Sequence, residues 1–418
     1  MSYVADLHLH SRFAYATSKH LTLENLATWA KTKGIDLLAS ADFTHPAWRR
    51  ELEQNLTPVS PGHYSFLGVH FVLGTEVSCV YNQGGRNRRL HLLLLVPDFG
   101  TVQQISNALT RSKANLESDG RPILRLSARD FTALALDINP ECIVIPAHIW
   151  TPWYGLFGSK SGFDSLEECF LDMTPHIHAV ETGLSSDPAM NWAIPELASR
   201  TIVSFSDAHS VAKLGREVTV FQGEFSYQGL ADALVHQKVA YSVEFYPEEG
   251  KYHHSGHRKC GIRLSPEETE NTGVRCPTCQ RPLTLGVLHR VRELSQGEVP
   301  AFRDTHGFVQ NEEGRPPFIR LVPLVEIIAE TLGRGAATKG VRLEYQRIVQ
   351  ELGSELHVLV ETDGSDLERV AGERLAQGIL KARTGDVRVE PGYDGLYGTV
   401  RLWDDEHSVP YRRTRIVE

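Results

Sequence analysis

The sequence VADLHLHSRF, at residues 4–13, alternates polar and apolar side chains with a period of two. Such alternation is typical of a half-buried β-strand, in which successive side chains point to opposite faces. Asp6, His8 and His10 therefore share one face, and the intervening leucines share the other. Two imidazoles and a carboxylate on one face are either a solvated surface or the first part of a metal site, and the remaining sequence must decide between these alternatives.

The composition is that of an ordinary soluble globular protein. The chain has 418 residues, enough for two or three domains, and is 41% hydrophobic and 23% charged. Its net charge of −9 argues against a broadly basic nucleic-acid-binding surface but allows a local basic groove. No apolar run approaches the roughly 20 residues of a membrane-spanning helix, and the first twenty residues lack the apolar core of a signal peptide. We therefore expect a cytoplasmic protein with no membrane partner.

Residues 1–245 alternate strand and helix patterns. The helix pattern at 21–34 has Thr22 as a candidate N-cap and Gly34 as its C-terminal end. The unbroken apolar runs IVIP and IVSF are typical of buried parallel strands. Seven strands that alternate with helices predict an α/β barrel. The predicted strands lie at 3–9, 35–41, 69–77, 90–96, 142–147, 178–182 and 201–206.

Ligand-type side chains occur at the end of nearly every predicted strand, and His91 lies near the start of its strand. Active sites of α/β barrels form at the carboxyl ends of the strands, so these side chains should converge. A solvated surface would be expected to use Lys, Ser, Asn and Gln as readily, so the recurrence of His, Asp and Glu at nearly every strand end favours a metal site. Imidazole and carboxylate suit zinc or manganese, and more than four candidates imply more than one ion. The candidates are His8, His10, Asp42, His45, Glu76, His91, His148, Glu181, Asp207 and His209.

The ordered set of motifs HLH, strand-end Asp42, GTE, PAH and SDAH resembles the PHP (polymerase and histidinol phosphatase) family. The resemblance covers residues 1–245 and implies a distorted seven-stranded barrel with two or three metal ions and phosphoesterase activity. Clustered metal ions are the usual equipment for phosphoester hydrolysis. The implied catalytic residues are His8, His10, Glu76, His148 and Asp207.

The resemblance also implies how the ligands divide among the metal ions. One site combines His8, His10, Glu76 and Asp207, and a second combines Glu76, His91 and His148, with Glu76 bridging the two ions. His209 belongs to a third site, where this sequence departs from the family. The histidine expected soon after HLH is missing, and the second strand ends in ADF rather than TDH, which leaves Asp42 or His45 as candidate substitutes.

A second candidate metal site lies at residues 257–279, where the spacing is H-x2-C-x15-C-x2-C. This spacing matches a zinc ribbon with one cysteine replaced by histidine, and the alternative is a chance grouping of reduced thiols. His253 and His254 are rival fourth ligands. Four protein ligands leave no open position, so the zinc should be structural. The predicted ligands are His257, Cys260, Cys276 and Cys279, whereas Cys79, Cys142 and Cys169 are expected to be inert core thiols.

The barrel, the zinc module and a C-terminal region containing RPPFIRLVPLVEIIAE and VEPGYDGLYGTVRL together resemble the endonuclease Q family. This resemblance runs over the whole chain, although one family-typical cysteine is His257 here. It implies a metal-dependent endonuclease that cuts DNA 5′ to deaminated bases (uracil, hypoxanthine, xanthine) or abasic sites and leaves a 3′-hydroxyl and a 5′-phosphate. Mn²⁺ or Mg²⁺ are alternatives to Zn²⁺ at the catalytic site. The expected domains are a barrel at 1–245, a zinc module at 246–295 and a helical domain at 296–418.

Two other functions use the same barrel. A small-molecule phosphatase of the histidinol-phosphatase type would have no use for the zinc module or the C-terminal region. A catalytically inactive scaffold would be expected to have lost metal ligands, whereas this chain retains a nearly complete set.

The expected partner is damaged DNA, double- or single-stranded, and no motif identifies a replication or repair clamp partner. Trp150, Trp153 and Tyr154 lie in an aromatic, glycine-rich loop that can stack on a base or wedge the duplex, or can simply cover the barrel. Glu181 with Asn191 can read a base edge or be structural. Basic residues that can neutralise phosphates, or form solvated turns, are Arg86, Arg88 and Arg89, with His257, Arg258, Lys259 and the YRRTR sequence at 411–415 as further candidates.

Overall fold

A computed structural model describes residues 1–297 and 299–403 of the chain, so the YRRTR sequence at 411–415 lies outside the described residues. The α/β fold predicted for the N-terminal region is confirmed, and each of the seven predicted strands overlaps an observed one. The strands of this region are β1 (Ser2–Asp6), β2 (Leu37–Ala39), β3 (Thr57–Ser60), β4 (His63–Phe66), β5 (Val69–Gln83), β6 (Arg86–Val96), β7 (Ile123–Leu124), β8 (Ile143–Pro146), β9 (Ala179–Glu181), β10 (Thr201–Val203), β11 (Val218–Gln222) and β12 (Val239–Glu244).

Helices lie between most of these strands. The first begins and ends as predicted, because the Thr22 side chain accepts a hydrogen bond from the Asn25 N–H and Gly34 has a φ of 86° at the C-cap. The helices of this region are α1 (Leu23–Lys33), α2 (Pro46–Asn55), α3 (Phe99–Arg111), α4 (Ala128–Ile138), α5 (Leu166–Phe170), α6 (Pro188–Trp192) and α7 (Tyr227–Val235). Short 3₁₀ helices occupy Leu171–His176, Pro195–Leu197 and Val211–Lys213.

The barrel mixes strand directions, which the alternating sequence pattern did not predict. β1 pairs with β2, and β2 with β5, in parallel, whereas β6 runs antiparallel to β5 and β11 runs antiparallel to β1. β5 and β6 form one long hairpin whose turn is Gly84-Gly85, with φ angles of 60° and 73°. A two-residue glycine pair is a hairpin signal, because both turn positions need positive φ. β9 and β10 form a separate parallel pair.

The second half of the chain adds a small module and a mainly helical region. The module contains β13 (Ser255–His257), β14 (Ile262–Leu264), α8 (Pro266–Thr272) and α9 (Val287–Leu294), with 3₁₀ helices at Pro247–Glu249 and Arg258–Cys260. The remaining elements are β15 (Ala301–Arg303), β16 (Val309–Asn311), β17 (Phe318–Arg320), α10 (Leu324–Thr331), α11 (Lys339–Leu352), α12 (Glu355–Val360), α13 (Gly364–Ala371), α14 (Glu373–Thr384), β18 (Arg388–Glu390) and β19 (Thr399–Arg401).

The C-terminal region is attached to the barrel by backbone pairing and by a buried ion pair. β17 pairs in parallel with β12, and β16 and β15 extend the same sheet. On another side, Lys33 Nζ at the end of α1 lies 2.5 Å from a carboxylate oxygen of Glu355, and both side chains are buried. The Tyr345 hydroxyl donates to the same carboxylate at 2.6 Å. A buried charge pair persists only with such additional hydrogen bonds, so this contact fixes α1 against the C-terminal helices.

Candidate metal centre and nucleic-acid interface

The predicted metal ligands converge around the carboxylate of Glu76. Its two oxygens lie 3.5 Å from His8 Nε2 and 3.3 Å from His10 Nε2. One oxygen also lies 2.8 Å from His91 Nδ1 and 3.3 Å from His148 Nε2. Glu76 thus stands between a His8–His10 group and a His91–His148 group, the position that a bridging carboxylate requires.

Asp207 and His209 complete the cluster on the side of the opening motif. Asp207 Oδ1 lies 3.4 Å from His8 Nε2 and 3.2 Å from His10 Nε2. His209 Nδ1 lies 3.5 Å from the same oxygen. Three groups of ligand atoms therefore share members: His8–His10–Glu76, His10–Asp207–His209 and Glu76–His91–His148.

His91 reaches the cluster because its strand is antiparallel. In the hairpin, His91 pairs with Ser78, two residues beyond Glu76. Glu76 lies in the middle of β5 and His91 in the middle of β6, not at the strand ends that the sequence predicted. Because the two strands form an antiparallel hairpin, this register places the His91 side chain beside Glu76.

The cluster leaves buried polar atoms that suit metal ions. His8 Nε2, His10 Nε2 and Asp207 Oδ1 are buried and have no hydrogen-bond partner among the described residues. The opposite ring nitrogens are bonded: His8 Nδ1 lies 2.9 Å from Glu181 Oε1, and His10 Nδ1 lies 3.2 Å from Asp42 Oδ1. A carboxylate that accepts from Nδ1–H leaves a lone pair on Nε2, which is how metal-binding histidines are usually oriented. The donor set thus fits divalent metal ions.

The electrostatics of the cluster favour anionic carboxylates. Burial by itself raises the pKa of Glu76, but His91, Arg121 and His8 lower that pKa well below its usual value. The pKa of Asp207 is lowered in the same way by His209, His8 and His10. Burial lowers the pKa of His91 to about 3, whereas the neighbouring Glu76 carboxylate acts in the opposite direction.

Asp42 and His45, the proposed substitutes at the third metal site, have other contacts. Asp42 is fully buried, and its two oxygens accept from His10 Nδ1 and, at 2.6 Å, from the Ser11 N–H. His45 stacks on Phe13 and bonds the Glu117 carbonyl. Neither joins the converging ligand atoms within the described part of the chain. The structure corrects the assignment of Asp42 as a metal ligand: its carboxylate orients His10 instead.

The four predicted zinc ligands also converge. Ligand atoms of His257, Cys260, Cys276 and Cys279 lie within 4.8 Å of one another, and Cys279 Sγ lies 3.5 Å from His257 Nδ1. Desolvation opposes ionisation of Cys276, yet hydrogen bonds from the backbone N–H groups of Cys279 and Thr278 lower its pKa to about 6. A thiolate held by backbone donors suits a metal ion. Of the rival fourth ligands, His253 and His254 stack on each other outside this group.

Comparisons with known proteins place the chain in a family. Its structure matches that of the lesion-specific endonuclease PfuEndoQ from Pyrococcus furiosus with a TM-score of 0.84 and 30% identity, covering 97% of this chain and 96% of that one. The chain belongs to the endonuclease Q family. It is therefore similar throughout to a DNA repair endonuclease, and the family resemblance inferred from the sequence is confirmed.

The chain is also similar to a further solved structure and to two uncharacterised proteins. Endonuclease Q in complex with a 27-mer duplex carrying an abasic lesion at its active site matches with a TM-score of 0.83, 30% identity and 99% coverage of both chains. The uncharacterised protein YqxK of Bacillus subtilis is 29% identical over 95% of this chain and 98% of its own length. The uncharacterised protein MJ0043 of Methanocaldococcus jannaschii is 32% identical over 60% of this chain, but this alignment covers only 31% of MJ0043. The MJ0043 C-terminal domain model matches residues 323–386.

The aromatic loop of this endonuclease Q family member divides into buried and accessible residues. Trp150 is 1% exposed, packs on Phe157 and donates to Asn191 Oδ1 at 2.8 Å. The structure therefore corrects the expectation that Trp150 stacks on a base. Trp153 is 39% exposed, and the Tyr154 ring lies 4.5 Å from the His91 ring at the edge of the metal centre.

Two other residues proposed to contact DNA are buried. Glu181 is fully buried, where it bonds His8 Nδ1 and accepts from the His148 N–H at 2.7 Å. Asn191 is also fully buried and is engaged by Trp150. The structure corrects the role assigned to Glu181: the carboxylate orients two metal-centre histidines and has no surface to present to a base edge.

The three arginines of the β5–β6 hairpin differ in their exposure and in their side-chain contacts. Arg86 is exposed beside the Gly84-Gly85 turn. The Arg88 guanidinium lies 3.9 Å from the Phe163 ring centroid and bonds the Gly162 carbonyl, so it anchors the aromatic loop. The Arg89 guanidinium lies 5.9 Å from the Tyr154 ring centroid. Arg86 and Arg89 are thus better placed than Arg88 to reach a phosphate.

Arg121 is a residue that the sequence did not predict. It follows Gly120 in an irregular segment, and its guanidinium lies 3.2 Å from Glu76 Oε2. Its side chain is 22% exposed, so one part contacts the metal centre while another faces solvent. No periodic pattern marks such a residue, because the contact joins positions 45 residues apart in the chain.

Among the described residues, no helix is both long and apolar enough to cross a membrane.

Proposed function

We propose that this endonuclease hydrolyses the phosphodiester bond 5′ to deaminated bases or abasic sites in DNA, leaving a 3′-hydroxyl and a 5′-phosphate. The observation that carries the proposal is the convergence of five histidines and two carboxylates in a chain that matches endonuclease Q from end to end. The bound abasic duplex in the related complex supports damaged DNA as the substrate. A small-molecule phosphatase would leave the zinc module and the C-terminal region without a role.

We assign the catalytic metal ions to overlapping ligand sets. His8, His10, Glu76 and Asp207 would hold one ion, and Glu76, His91 and His148 would hold a second. His209 adds a ligand for a third ion beside His10 and Asp207. Divalent ions, Zn²⁺ or alternatively Mn²⁺ or Mg²⁺, supply a strongly acidified water molecule and neutralise phosphate charge when they are bound.

Neighbouring side chains orient the residues that would bind the metal ions and the phosphate. Glu181 and Asp42 fix the ring orientations of His8 and His10, so both Nε2 atoms face the same point. Arg121, beside Glu76, can meet a non-bridging phosphate oxygen at the solvent edge of the cluster. Water is the nucleophile, so no covalent enzyme–DNA intermediate forms. The base stays attached to its sugar, which separates this reaction from that of a glycosylase.

We assign DNA contacts to the accessible residues near the metal centre. Trp153 and Tyr154 offer aromatic faces for stacking, and Arg86 and Arg89 offer positive charge for phosphates. His257, Cys260, Cys276 and Cys279 would hold a structural zinc ion. We assign this site to a module at 246–295, between the barrel (1–245) and the C-terminal domain (296–418).

A panel of end-labelled duplexes tests the proposal. The panel contains uracil, hypoxanthine, xanthine, an abasic site or no lesion at one position, and cleavage is mapped on a sequencing gel. We expect a cut 5′ to each lesion that depends on added metal ions and is abolished by Glu76→Ala. A cut on the 3′ side, release of free base, or equal cutting of the undamaged duplex would contradict the proposal.

A further inference from the structure

A polar cavity of about 270 Å³ lies between the start of α2, helix α3 and the segment at 114–117. None of the metal-centre residues described above lines it, so it is a separate feature of the barrel. Arg49 contributes a guanidinium to the wall, and Gln103, Asn107 and Thr110 are exposed at its opening. The wall therefore suits a polar ligand that enters from solvent.

Helix α2 begins at this cavity without a capping side chain from its N-cap residue. The helix has ten residues, the N-cap residue His45 gives it no side-chain hydrogen bond, and its first turn holds no acidic residue. Pro46, at the first helical position, lines the cavity. The first backbone N–H groups of a helix have no partner within it and carry a partial positive charge, which makes a helix N-terminus a binding site for anions such as phosphate.

Two side chains of the wall have buried polar atoms without a hydrogen-bond partner in the described part of the chain. Ser106 is 5% exposed, and its hydroxyl oxygen is one of these atoms. Arg49 Nε is the other, and its ion pair with Glu53 is long, at 3.7 Å. Buried polar atoms without a partner are rare and commonly mark a bound water, ion or ligand. The acidic wall residue Glu117 is exposed, where solvent screens its charge.

The cavity wall is also connected to the metal centre through Thr44. Its hydroxyl oxygen lies 3.5 Å from Thr75 Oγ1 and 3.3 Å from the Gly120 carbonyl oxygen. Thr75 precedes Glu76 in the sequence, and Gly120 precedes Arg121. The cavity is thus one residue removed from two residues of the metal centre.

We propose that this cavity binds a phosphate group, at a site separate from the metal centre. The Arg49 guanidinium and the first N–H groups of α2 contact the phosphate oxygens, and the Ser106 hydroxyl donates to one of them. The phosphate belongs either to the backbone of bound DNA or to a free phosphate, because both present the same tetrahedral anion. The proposal is independent of which lesion is cut, since the site recognises phosphate and not a base.

The test changes the charge of the wall and measures binding with two probes. Arg49→Ala removes the cation, and Asn107→Asp adds a negative charge at an exposed wall position. The matched controls are Arg50→Ala and Gln104→Glu, which make the same charge changes at exposed neighbours outside the wall. Titration calorimetry with inorganic phosphate counts the equivalents bound to the metal-loaded enzyme. The affinity for an undamaged duplex, which the proposed function leaves uncut, is measured over a series of salt concentrations.

We expect both wall variants to weaken the binding of one phosphate equivalent by about 10- to 100-fold, the effect of losing a hydrogen bond to a charged group, while both controls bind as wild type does. If the site holds a backbone phosphate, Arg49→Ala should also reduce the slope of log Kd against log salt by about 0.9, the value for one phosphate. If the site holds a free phosphate, the equivalent should be lost with the slope unchanged.

Wall variants that match their controls with both probes would overturn the proposal. Because binding and not cleavage is measured, an enzyme that fails to cut any damaged duplex would refute the proposed function and leave this test intact.

Discussion

Glu181→Gln tests how the barrel orients its metal-binding histidines. The buried carboxylate lies 2.9 and 3.0 Å from His8 Nδ1 and accepts from the His148 N–H at 2.7 Å. Glutamine preserves the side-chain volume but replaces one acceptor oxygen with an NH2 group. That group must face either the His8 ring N–H or the His148 backbone N–H, and both are donors.

The expected magnitude follows from these contacts. Losing a hydrogen bond to a charged group costs about 1.5–3 kcal/mol. Substitutions of residues that orient metal ligands typically reduce metal affinity or activity by about 10- to 100-fold, which is about 1.4–2.7 kcal/mol. The two estimates agree. We therefore expect the metal concentration needed for half-maximal cleavage to rise by about 10- to 100-fold, with activity recovered at saturating metal.

The assay removes metal ions with a chelator and titrates Mn²⁺ or Zn²⁺ back while initial cleavage rates on an abasic duplex are recorded. Asp42→Asn applies the same perturbation to His10 and should shift the titration in the same direction. A Glu181→Gln enzyme with the wild-type titration curve would refute the orienting role. An activity loss that no metal concentration restores would show that Glu181 acts on the fold rather than on His8.

Three further predictions concern stability and metal content. Cys276→Ala should remove one zinc per chain, measured by mass spectrometry, while the barrel metals remain, because thiolate ligands hold the module together; equal zinc in the variant would contradict this. Lys33→Met should lower the free energy of unfolding by about 3 kcal/mol, because the Glu355 carboxylate stays buried without its cation. A urea titration with an unchanged midpoint would be inconsistent with this reasoning. Burial raises the pKa of Glu244 from 4.5 to about 8, so its carboxyl ionises earlier in the unfolded chain and wild-type stability falls as pH rises between these values. Glu244→Gln should therefore gain stability relative to wild type between pH 5 and 8, and a difference independent of pH would exclude this linkage.

Structural features that depend only on residues close together in the sequence could be predicted from local sequence patterns. The caps of α1 were predictable because Thr22 and Gly34 act on their own helix. The convergence of His257, Cys260, Cys276 and Cys279 was predictable because their spacing is that of a zinc knuckle. The convergence of the barrel histidines and carboxylates was predictable in part, because parallel strands bring their carboxyl ends to one edge. The hairpin of β5 and β6 was missed, although Gly84-Gly85 gives a local signal for it.

Residue type alone did not predict which side chains reach the surface. Trp150 and Trp153 lie three residues apart in one loop, yet one fills the core and the other is exposed, because Asn191 supplies the buried indole N–H with an acceptor. Asp42 and Glu181 are carboxylates of the kind that bind metal ions, but they bond the Nδ1 atoms of His10 and His8 rather than pointing into the metal centre. These outcomes depend on contacts between distant segments, which a single sequence does not contain.

His148 links the metal centre to the aromatic loop that follows it in the sequence. One of its ring nitrogens faces Glu76 in the metal centre, and the other bonds the Thr151 hydroxyl, while its backbone N–H donates to Glu181. Both nitrogens of one rigid ring are therefore engaged, by a residue of the metal centre and by a residue of the loop. Because the ring is rigid, a shift of Thr151 is transmitted to the nitrogen that faces Glu76. His148 thus couples the position of the aromatic loop to the geometry of the metal centre.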